Sequence, residues 1–157
     1  MAVKRNPTKS YLVYWYYLCT LFKVVARRKK ILIVDDNSDG RELLAKLIDF
    51  FGYEAIEADS GRDAIGKASD FHPDLILMDF YLPDITGDKV IARLKANPAT
   101  QDIPLIITTA LAERTVRDHA MPSGAAEILE KPFGMTTLQD VLDKHLRIDE
   151  SKENCCG

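Results

Sequence analysis

Cysteine is scarce in this chain of 157 residues and lies only near its two ends. The three cysteines are Cys19, Cys155 and Cys156. The long stretch between them therefore has neither a disulfide framework nor a CxxC zinc pattern. We expect a domain that is held together by its apolar core, as intracellular proteins usually are, and we expect a cytoplasmic location.

Nucleotide-binding and DNA-binding signatures are also missing. The sequence contains no GxxxxGK phosphate loop and no GxGxxG fingerprint, so nucleotide binding has no support. Eleven residues follow Leu146 (157 − 146), and we expect no helix-turn-helix or catalytic output domain there. The four basic residues Arg27 to Lys30 are a weak footprint for nucleic acid, so no direct DNA binding is expected. His72, His119 and His145 lack a carboxylate or cysteine at ligand spacing, and we predict that they are solvated surface residues.

Acidic residues are absent from residues 1–30, which carry eight Lys or Arg. Subtracting these eight from 21 leaves 13 basic against 24 acidic residues in the remainder, a charge of −11 where the whole chain has −3. The chain is therefore divided into a basic, aromatic-rich extension (1–29), a domain (30–147) and a polar tail (148–157).

Residues 11–25 read YLVYWYYLCTLFKVV, an apolar run rich in aromatic rings. A helix that spans a bilayer needs ~20 apolar residues, so this run is short. Two interpretations stay open. The segment either makes a weak contact with a membrane interface, where aromatic rings and flanking cations are favoured, or it is a disordered extension or an error in the assigned start.

From Lys30 onward, short β-branched runs alternate with amphipathic stretches in five units. The predicted strands are Lys30–Val34, Glu54–Glu57, Leu75–Met78, Pro104–Thr108 and Ala126–Leu129. The first predicted helix is capped by Asn37 or Ser38 and carries, at helical spacing, Leu43, Leu44, Leu47, Ile48 and Phe51. The second predicted helix, Ser60–Phe71, carries Ala64, Ile65 and Ala68 on one face. The third carries Val90, Ile91 and Leu94. The fourth is Ala112–Ala120, and the last runs from about Thr136 to Leu146. This alternation predicts a doubly wound α/β domain with a parallel five-stranded sheet and helices on both faces.

Polar residues follow four of these strands, at the edge where such sheets bind ligands. Asp35 and Asp36 follow the first strand, Asp79 the third, Thr109 the fourth and Lys131 the fifth. Taken singly, each residue has a structural explanation as a helix cap, a turn residue or a solvated charge. Together, three carboxylates at one edge would repel one another unless a cation lay among them, and oxygen ligands suit Mg²⁺.

The same residues suit the transfer of a phosphoryl group to a carboxylate. Asp79 would act as the nucleophile, Lys131 would supply a mobile positive charge, and the Thr109 hydroxyl would hydrogen-bond a phosphoryl oxygen. The product would be an acyl phosphate on aspartate.

Four motifs resemble the receiver domain of bacterial two-component response regulators, in particular single-domain regulators of the chemotaxis type. The motifs are ILIVDDN (31–37), LILMDFYLPDITG (75–87), PLIITTA (104–110) and EKPF (130–133). The resemblance covers Lys30 to Leu146 and implies a flavodoxin-like sheet with strand order 2-1-3-4-5.

The resemblance also implies a role for each site residue. It makes Asp79 the phosphoacceptor, Asp36 a direct Mg²⁺ ligand and Asp35 a partner that acts largely through water. It further implies the Tyr81 backbone carbonyl as a metal ligand, Thr109 as the switch hydroxyl, Lys131 as the phosphoryl-contacting lysine, a cis Lys131-Pro132 bond, and Pro83 and Gly87 as residues that shape the loop.

One position departs from the family pattern. The family often has Tyr or Phe three residues before the lysine, where this chain has Ile128, so the usual aromatic signal is in doubt. Tyr81 and Leu111, each two residues beyond a site residue, are predicted to shield the acyl phosphate from water.

By the resemblance, the phosphoryl donor is a sensor histidine kinase or a histidine phosphotransfer protein. The downstream protein is not identified by the sequence. The fourth helix, fifth strand and fifth helix form the expected switching face and a candidate dimer face. Two alternatives remain: a phosphate sink without direct output, and a phosphatase with an aspartyl-phosphate intermediate. The phosphatase pattern DxDxT is not matched, because Asp79-Phe80-Tyr81 lacks a second carboxylate.

Overall fold

The computed structural model describes residues 27–110 and 114–146. Five strands form one sheet: β1 (Lys30–Val34), β2 (Glu54–Ala58), β3 (Leu75–Asp79), β4 (Leu105–Thr109) and β5 (Glu127–Glu130). Five helices alternate with them: α1 (Ser38–Phe50), α2 (Gly61–Phe71), α3 (Gly87–Ala96), α4 (Arg114–Ser123) and α5 (Met135–Leu146).

The sheet is parallel throughout and has the order β2-β1-β3-β4-β5. The doubly wound fold and the strand order expected from the sequence are therefore confirmed. β3 and β4 each run one residue further than predicted, so Asp79 and Thr109 are the last residues of their strands. The predicted start of α4 at Ala112 lies outside the described residues, as does Leu111.

Successive strand residues point to opposite faces of the sheet, and this alternation divides the core into two layers. One layer lies under α1 and α5 and contains Ile31, Ile33, Leu75, Leu77, Ile106 and Leu129 from the strands. The other lies under α2, α3 and α4 and contains Leu32, Val34, Ile76, Met78, Leu105 and Ile107. Because both faces are covered, the central strands are continuously apolar and end in the polar residues described below.

Local sequence explains where the helices begin and end. Asn37 caps α1, since its side-chain oxygen accepts a hydrogen bond of 2.9 Å from the Gly40 amide. His72 ends α2 with a left-handed backbone (φ 46°) just before Pro73. Of the apolar residues at helical spacing in α1, Leu44 and Ile48 fill the core, whereas Leu43 is 60% exposed.

Basic residues close the edge of the sheet where the strands begin. Lys29 donates from its ammonium group to the carbonyl of Leu146 at the end of α5. The Arg28 guanidinium donates to the Gly52 carbonyl at 3.1 Å and also bonds Tyr53 O and Asp49. We call this the basal edge; it also includes Glu127 and His145. Two of the four basic residues considered for nucleic acid are thus bonded within the domain.

The predictions for the extension (1–29) and the polar tail (148–157) fall largely outside the described residues, and so do Cys19, Cys155, Cys156 and the apolar run 11–25. Over 27–110 and 114–146, no helix combines the length and the apolar character that crossing a membrane requires.

Candidate functional site

Strand register brings the predicted site residues to one edge of the sheet. Val34 pairs with Met78, so Asp35 and Asp79 come next on adjacent strands. On the other side, Asp79 pairs with Thr108. Thr109 pairs with Glu130, which precedes Lys131. We call this the acidic edge; it comprises Asp35, Asp36, Asp79, Thr109 and Lys131.

Lys131 lies between two carboxylates of the acidic edge. Its ammonium nitrogen is 2.7 Å from Asp35 Oδ2 and 2.8 Å from Asp79 Oδ2. Burial alone would lower the pKa of Lys131, but hydrogen bonds and attraction from the two carboxylates outweigh burial and raise it above the ordinary value. Lys131 is therefore a fixed positive charge at neutral pH, and it joins β5 to β1 and β3.

The second oxygen of each carboxylate is held by a backbone amide two residues further along the chain. Asp35 Oδ1 accepts from the Asn37 amide at 2.9 Å, and Asp79 Oδ1 accepts from the Tyr81 amide at 3.0 Å. Asp35 is buried, whereas Asp79 is partly accessible. Both carboxylates are thus fixed in direction, and Asp79 is the one that a reactant can reach.

The remaining members of the acidic edge differ in exposure. Asp36 is exposed, and Thr109 is fully buried. Tyr81 is 54% exposed and packs edge-on against Phe80 with 5.3 Å between ring centroids. The predicted shield formed by Tyr81 and Leu111 stays a prediction, because Leu111 is not described.

The described part of the chain contains no group of three or more His, Cys, Asp or Glu arranged to hold a metal ion. The Lys131 ammonium compensates part of the charge of Asp35 and Asp79. The donors available at this edge are carboxylate and carbonyl oxygens, and this hard set is the one that Mg²⁺ prefers. The chemistry of the donors therefore fits the ion.

The loop after β3 is shaped by Gly87. The Gly87 amide donates to the Phe80 carbonyl at 3.0 Å, and a Cβ atom at this position would lie only 2.8 Å from the same oxygen. Any larger residue would push the loop away from the strand that ends in Asp79. Pro83 lies exposed in this loop. The Lys131-Pro132 bond, on the neighbouring loop, is cis.

Two contributors were missed by the sequence analysis. Arg41 donates from Nη1 to the Asp35 carbonyl at 2.7 Å and from Nε to Glu57 at 3.2 Å, which ties α1 to both strand ends. Asp84 accepts from the Gly61 and Arg62 amides, each at 2.9 Å, so the loop after β3 caps α2. The little burial at Asp84 favours a higher pKa, but the backbone hydrogen bonds prevail and lower it. No local spacing signals either contact.

The prediction that His145 is a solvated surface residue is wrong. Its Nε2 atom lies 2.8 Å from Glu127 Oε2, and Lys144 Nζ lies 2.9 Å from the same oxygen. Hydrogen bonds from His145 and Lys144 lower the pKa of Glu127. The partners are 18 residues apart and meet because β5 begins where α5 ends, so a search for nearby ligands in the sequence could not find them.

Ile128 occupies the position where an aromatic switch residue was considered. It lies in the middle of β5, pairs with Ile107 and is partly buried against the layer under α2, α3 and α4. The chain therefore has an aliphatic side chain beside Ile107, which lies two residues before Thr109 on the neighbouring strand.

Comparison with known proteins agrees with this geometry. The model of the response regulator receiver domain matches residues 31–143. The phosphate regulon regulatory protein PhoB of Pseudomonas aeruginosa is 39% identical over 119 residues, which are 76% of this chain and 52% of PhoB. The chain thus spans about half the length of that relative.

Two further similarities cover nearly the whole of the other protein. The polar-differentiation response regulator DivK of Brucella ovis is 34% identical over 118 residues, 75% of this chain and 96% of DivK. The receiver domain of a sensor histidine kinase from Pseudomonas aeruginosa, solved with magnesium in its active-site cleft, has a TM-score of 0.72 and 28% identity, covering 76% of this chain and 98% of that one. With a family model that matches most of the chain and a relative covered almost end to end, the protein belongs to the response regulator receiver domain family.

Proposed function

We propose that this protein accepts a phosphoryl group on Asp79 from a sensor histidine kinase or a histidine phosphotransfer protein, and that phosphorylation changes its affinity for a partner protein. The contact that carries the proposal is the bridge of Lys131 to Asp79 and Asp35. It leaves one accessible, oriented carboxylate beside a fixed positive charge, as a nucleophile for an anionic donor requires.

The transfer is a simple displacement at phosphorus. An Asp79 carboxylate oxygen forms a bond to phosphorus, the bond from phosphorus to the donor histidine nitrogen breaks, and the electron pair leaves with the imidazole. Lys131 stabilises the negative charge on the phosphoryl oxygens, and the buried Thr109 hydroxyl is the candidate donor to one of them.

Mg²⁺ is the proposed cofactor. Asp36, Asp79 and the Tyr81 carbonyl would hold the ion, with Asp35 acting through water. Bound there, the ion would neutralise charge between the carboxylates and the phosphoryl group. The similar receiver domain with magnesium in its cleft supports this assignment.

The output is proposed to pass through α4, β5 and α5, which is also the candidate dimer face. Ile128 replaces an aromatic signal on this face, so we propose that partners respond to the packing of β5, which changes with the position of the buried Thr109. We expect the downstream protein to bind this face.

Acetyl phosphate with Mg²⁺ tests the proposal. We expect one phosphoryl group per chain by intact-mass spectrometry, and no adduct for Asp79→Asn. Asp59→Asn is the matched control, because Asp59 is exposed and follows the last residue of β2 on the same side of the sheet; it should be phosphorylated as the wild type is.

Two results would contradict the proposal. An adduct that persists in Asp79→Asn would place the acceptor elsewhere. Repeated turnover on phosphomonoesters would favour a phosphatase that uses aspartyl phosphate as an intermediate. If neither of these results is found, a panel of the host's purified histidine kinases identifies the donor, because the cognate kinase should transfer the phosphoryl group fastest.

A further inference from the structure

α1 carries an exposed apolar stripe in addition to its buried face. Leu43 is 60% exposed and Phe50 is 74% exposed, while Leu47 between them is partly buried. The spacing of four and then three residues places all three on one side of the helix. Single exposed apolar residues are ordinary on protein surfaces, but two largely exposed residues joined by a half-buried third along one helix form an apolar surface that another segment can cover.

The chain before the domain enters beside one end of this stripe. Arg28 bonds Asp49 and the carbonyls of Gly52 and Tyr53, and these residues surround the end of α1 next to Phe50. The residues that precede Arg27 therefore start within a few residues' length of Phe50. They need no long connection to reach it.

Residues 11–25 are long enough to cover the stripe, and their composition is apolar. Fifteen residues as a helix span ~22 Å, and the 13 residues of α1 span ~20 Å. The segment supplies six aromatic side chains for apolar contact, namely Tyr11, Tyr14, Trp15, Tyr16, Tyr17 and Phe22.

Charge favours the same placement. Lys4, Arg5 and Lys9 precede the apolar run. If the chain is followed backward from Arg27 along α1 to the beginning of this helix, these cations approach the exposed Asp36 and Asp39. The attraction is between residues 1–30, which carry +8, and a remainder of −11, and it strengthens at low salt.

We infer that residues 11–25 of this chain lie along the Leu43–Leu47–Phe50 stripe of α1. The extension thereby covers the helix that begins two residues after Asp36.

Trp15 is the one tryptophan of the chain and lies within the covering segment, so its fluorescence tests the inference directly. In the full chain without lipid, we expect blue-shifted Trp15 emission and an acrylamide quenching constant severalfold below that of the urea-unfolded chain. Leu43→Glu combined with Phe50→Glu should raise the quenching constant severalfold. Phe71→Glu is the matched control: this phenylalanine is 46% exposed at the end of α2, on the other face of the sheet, and its replacement should leave Trp15 shielded.

Several outcomes would overturn the inference. One is equal quenching in the native and unfolded wild-type chain, which requires no variant. Another is shielding of Trp15 that appears only with vesicles of phosphatidylglycerol and phosphatidylcholine, because the extension would then bind a lipid surface and not α1. Shielding that fades on dilution would assign the contact to a second copy, and shielding that survives the α1 double variant would place the segment elsewhere.

Discussion

The two edges of the sheet use positive charge in different ways. At the acidic edge, the Lys131 ammonium lies between the carboxylates of Asp35 and Asp79. At the basal edge, Arg28 and Lys29 donate to main-chain carbonyls at the ends of α1 and α5. Carbonyls that end a helix need donors in any state of the protein, whereas a lysine shared by two carboxylates can exchange one partner for an incoming anion. The contacts of Lys131 can therefore change when an anion binds, whereas the contacts of Arg28 and Lys29 stay the same.

Removal of Lys131 should give the largest effect and should be felt in both function and stability. In Lys131→Ala, Asp35 and Asp79 face each other without a cation, so we expect about 2–3 kcal/mol less unfolding free energy. Phosphorylation by acetyl phosphate should slow by about 100-fold, because the charge that stabilises the phosphoryl oxygens is lost. Urea unfolding and intact-mass time courses measure the two effects.

Mg²⁺ distinguishes a charge effect from a packing effect in the same variant. Added Mg²⁺ should restore part of the lost stability of Lys131→Ala, since it supplies a cation between the carboxylates. Lys89→Ala, at an exposed position of α3, is the control and should change neither measurement. If Lys131→Ala and the wild type are equally stable without Mg²⁺, Lys131 does not compensate the carboxylates of the acidic edge, and the contrast with the basal edge is wrong.

Gly87→Ala should disturb the acidic edge through shape alone. A Cβ atom 2.8 Å from the Phe80 carbonyl forces the loop to move, at a cost of about 1–3 kcal/mol, and phosphorylation should slow because the loop positions Tyr81. Gly66→Ala is the matched control within α2, where a Cβ atom meets nothing within 4 Å; it should raise stability by up to about 1 kcal/mol. If both substitutions stabilise the protein, the close approach at Gly87 does not constrain the loop.

Arg28→Ala should lower stability without changing the chemistry. The guanidinium satisfies the Gly52 and Tyr53 carbonyls, and its loss should cost about 1 kcal/mol in urea unfolding. The phosphorylation rate per folded molecule should be unchanged, because Asp79 is at the opposite edge. A slower rate in the folded variant would mean that the two edges are coupled.

The smallest expected effect concerns pH at the basal edge. The folded-state pKa of Glu127 is lowered, so its ion pairs stabilise the protein above the unfolded pKa, and this contribution is lost as pH falls through the folded value. Glu127→Gln should therefore cost up to about 1 kcal/mol at neutral pH and almost nothing in strong acid. Thermal melts from pH 7 to about 3 measure the difference; a constant difference across this range would assign the effect to packing.

The acidic edge could be predicted from the sequence because its geometry follows from topology. Once five apolar runs are recognised as parallel strands, the residues that end them must meet at one edge, and Asp35, Asp79 and Lys131 do meet. The strand order came from the family resemblance, and the structure has the same order.

The contacts that escaped prediction join elements that are distant in the chain. Asp84 caps a helix from the loop after the next strand, and His145 finds Glu127 across 18 residues. Helical periodicity also does not decide which way Leu43 faces, since a leucine beside Leu44 fits an inward face as readily as an outward stripe. The direction of such a side chain is decided by the packing of α1 on the sheet, which local sequence does not contain.

The alternation of strand side chains between two core layers constrains how this sequence can evolve. A substitution within β3 changes the filling of one layer, but a deletion would exchange the layers for every residue beyond it and draw Asp79 back by ~3.3 Å from Lys131. Apolar residues in these strands should therefore interchange freely among descendants, whereas insertions and deletions should accumulate only in loops such as 97–103. The lengths of the strands should therefore be more strongly constrained than the identities of the apolar residues within them.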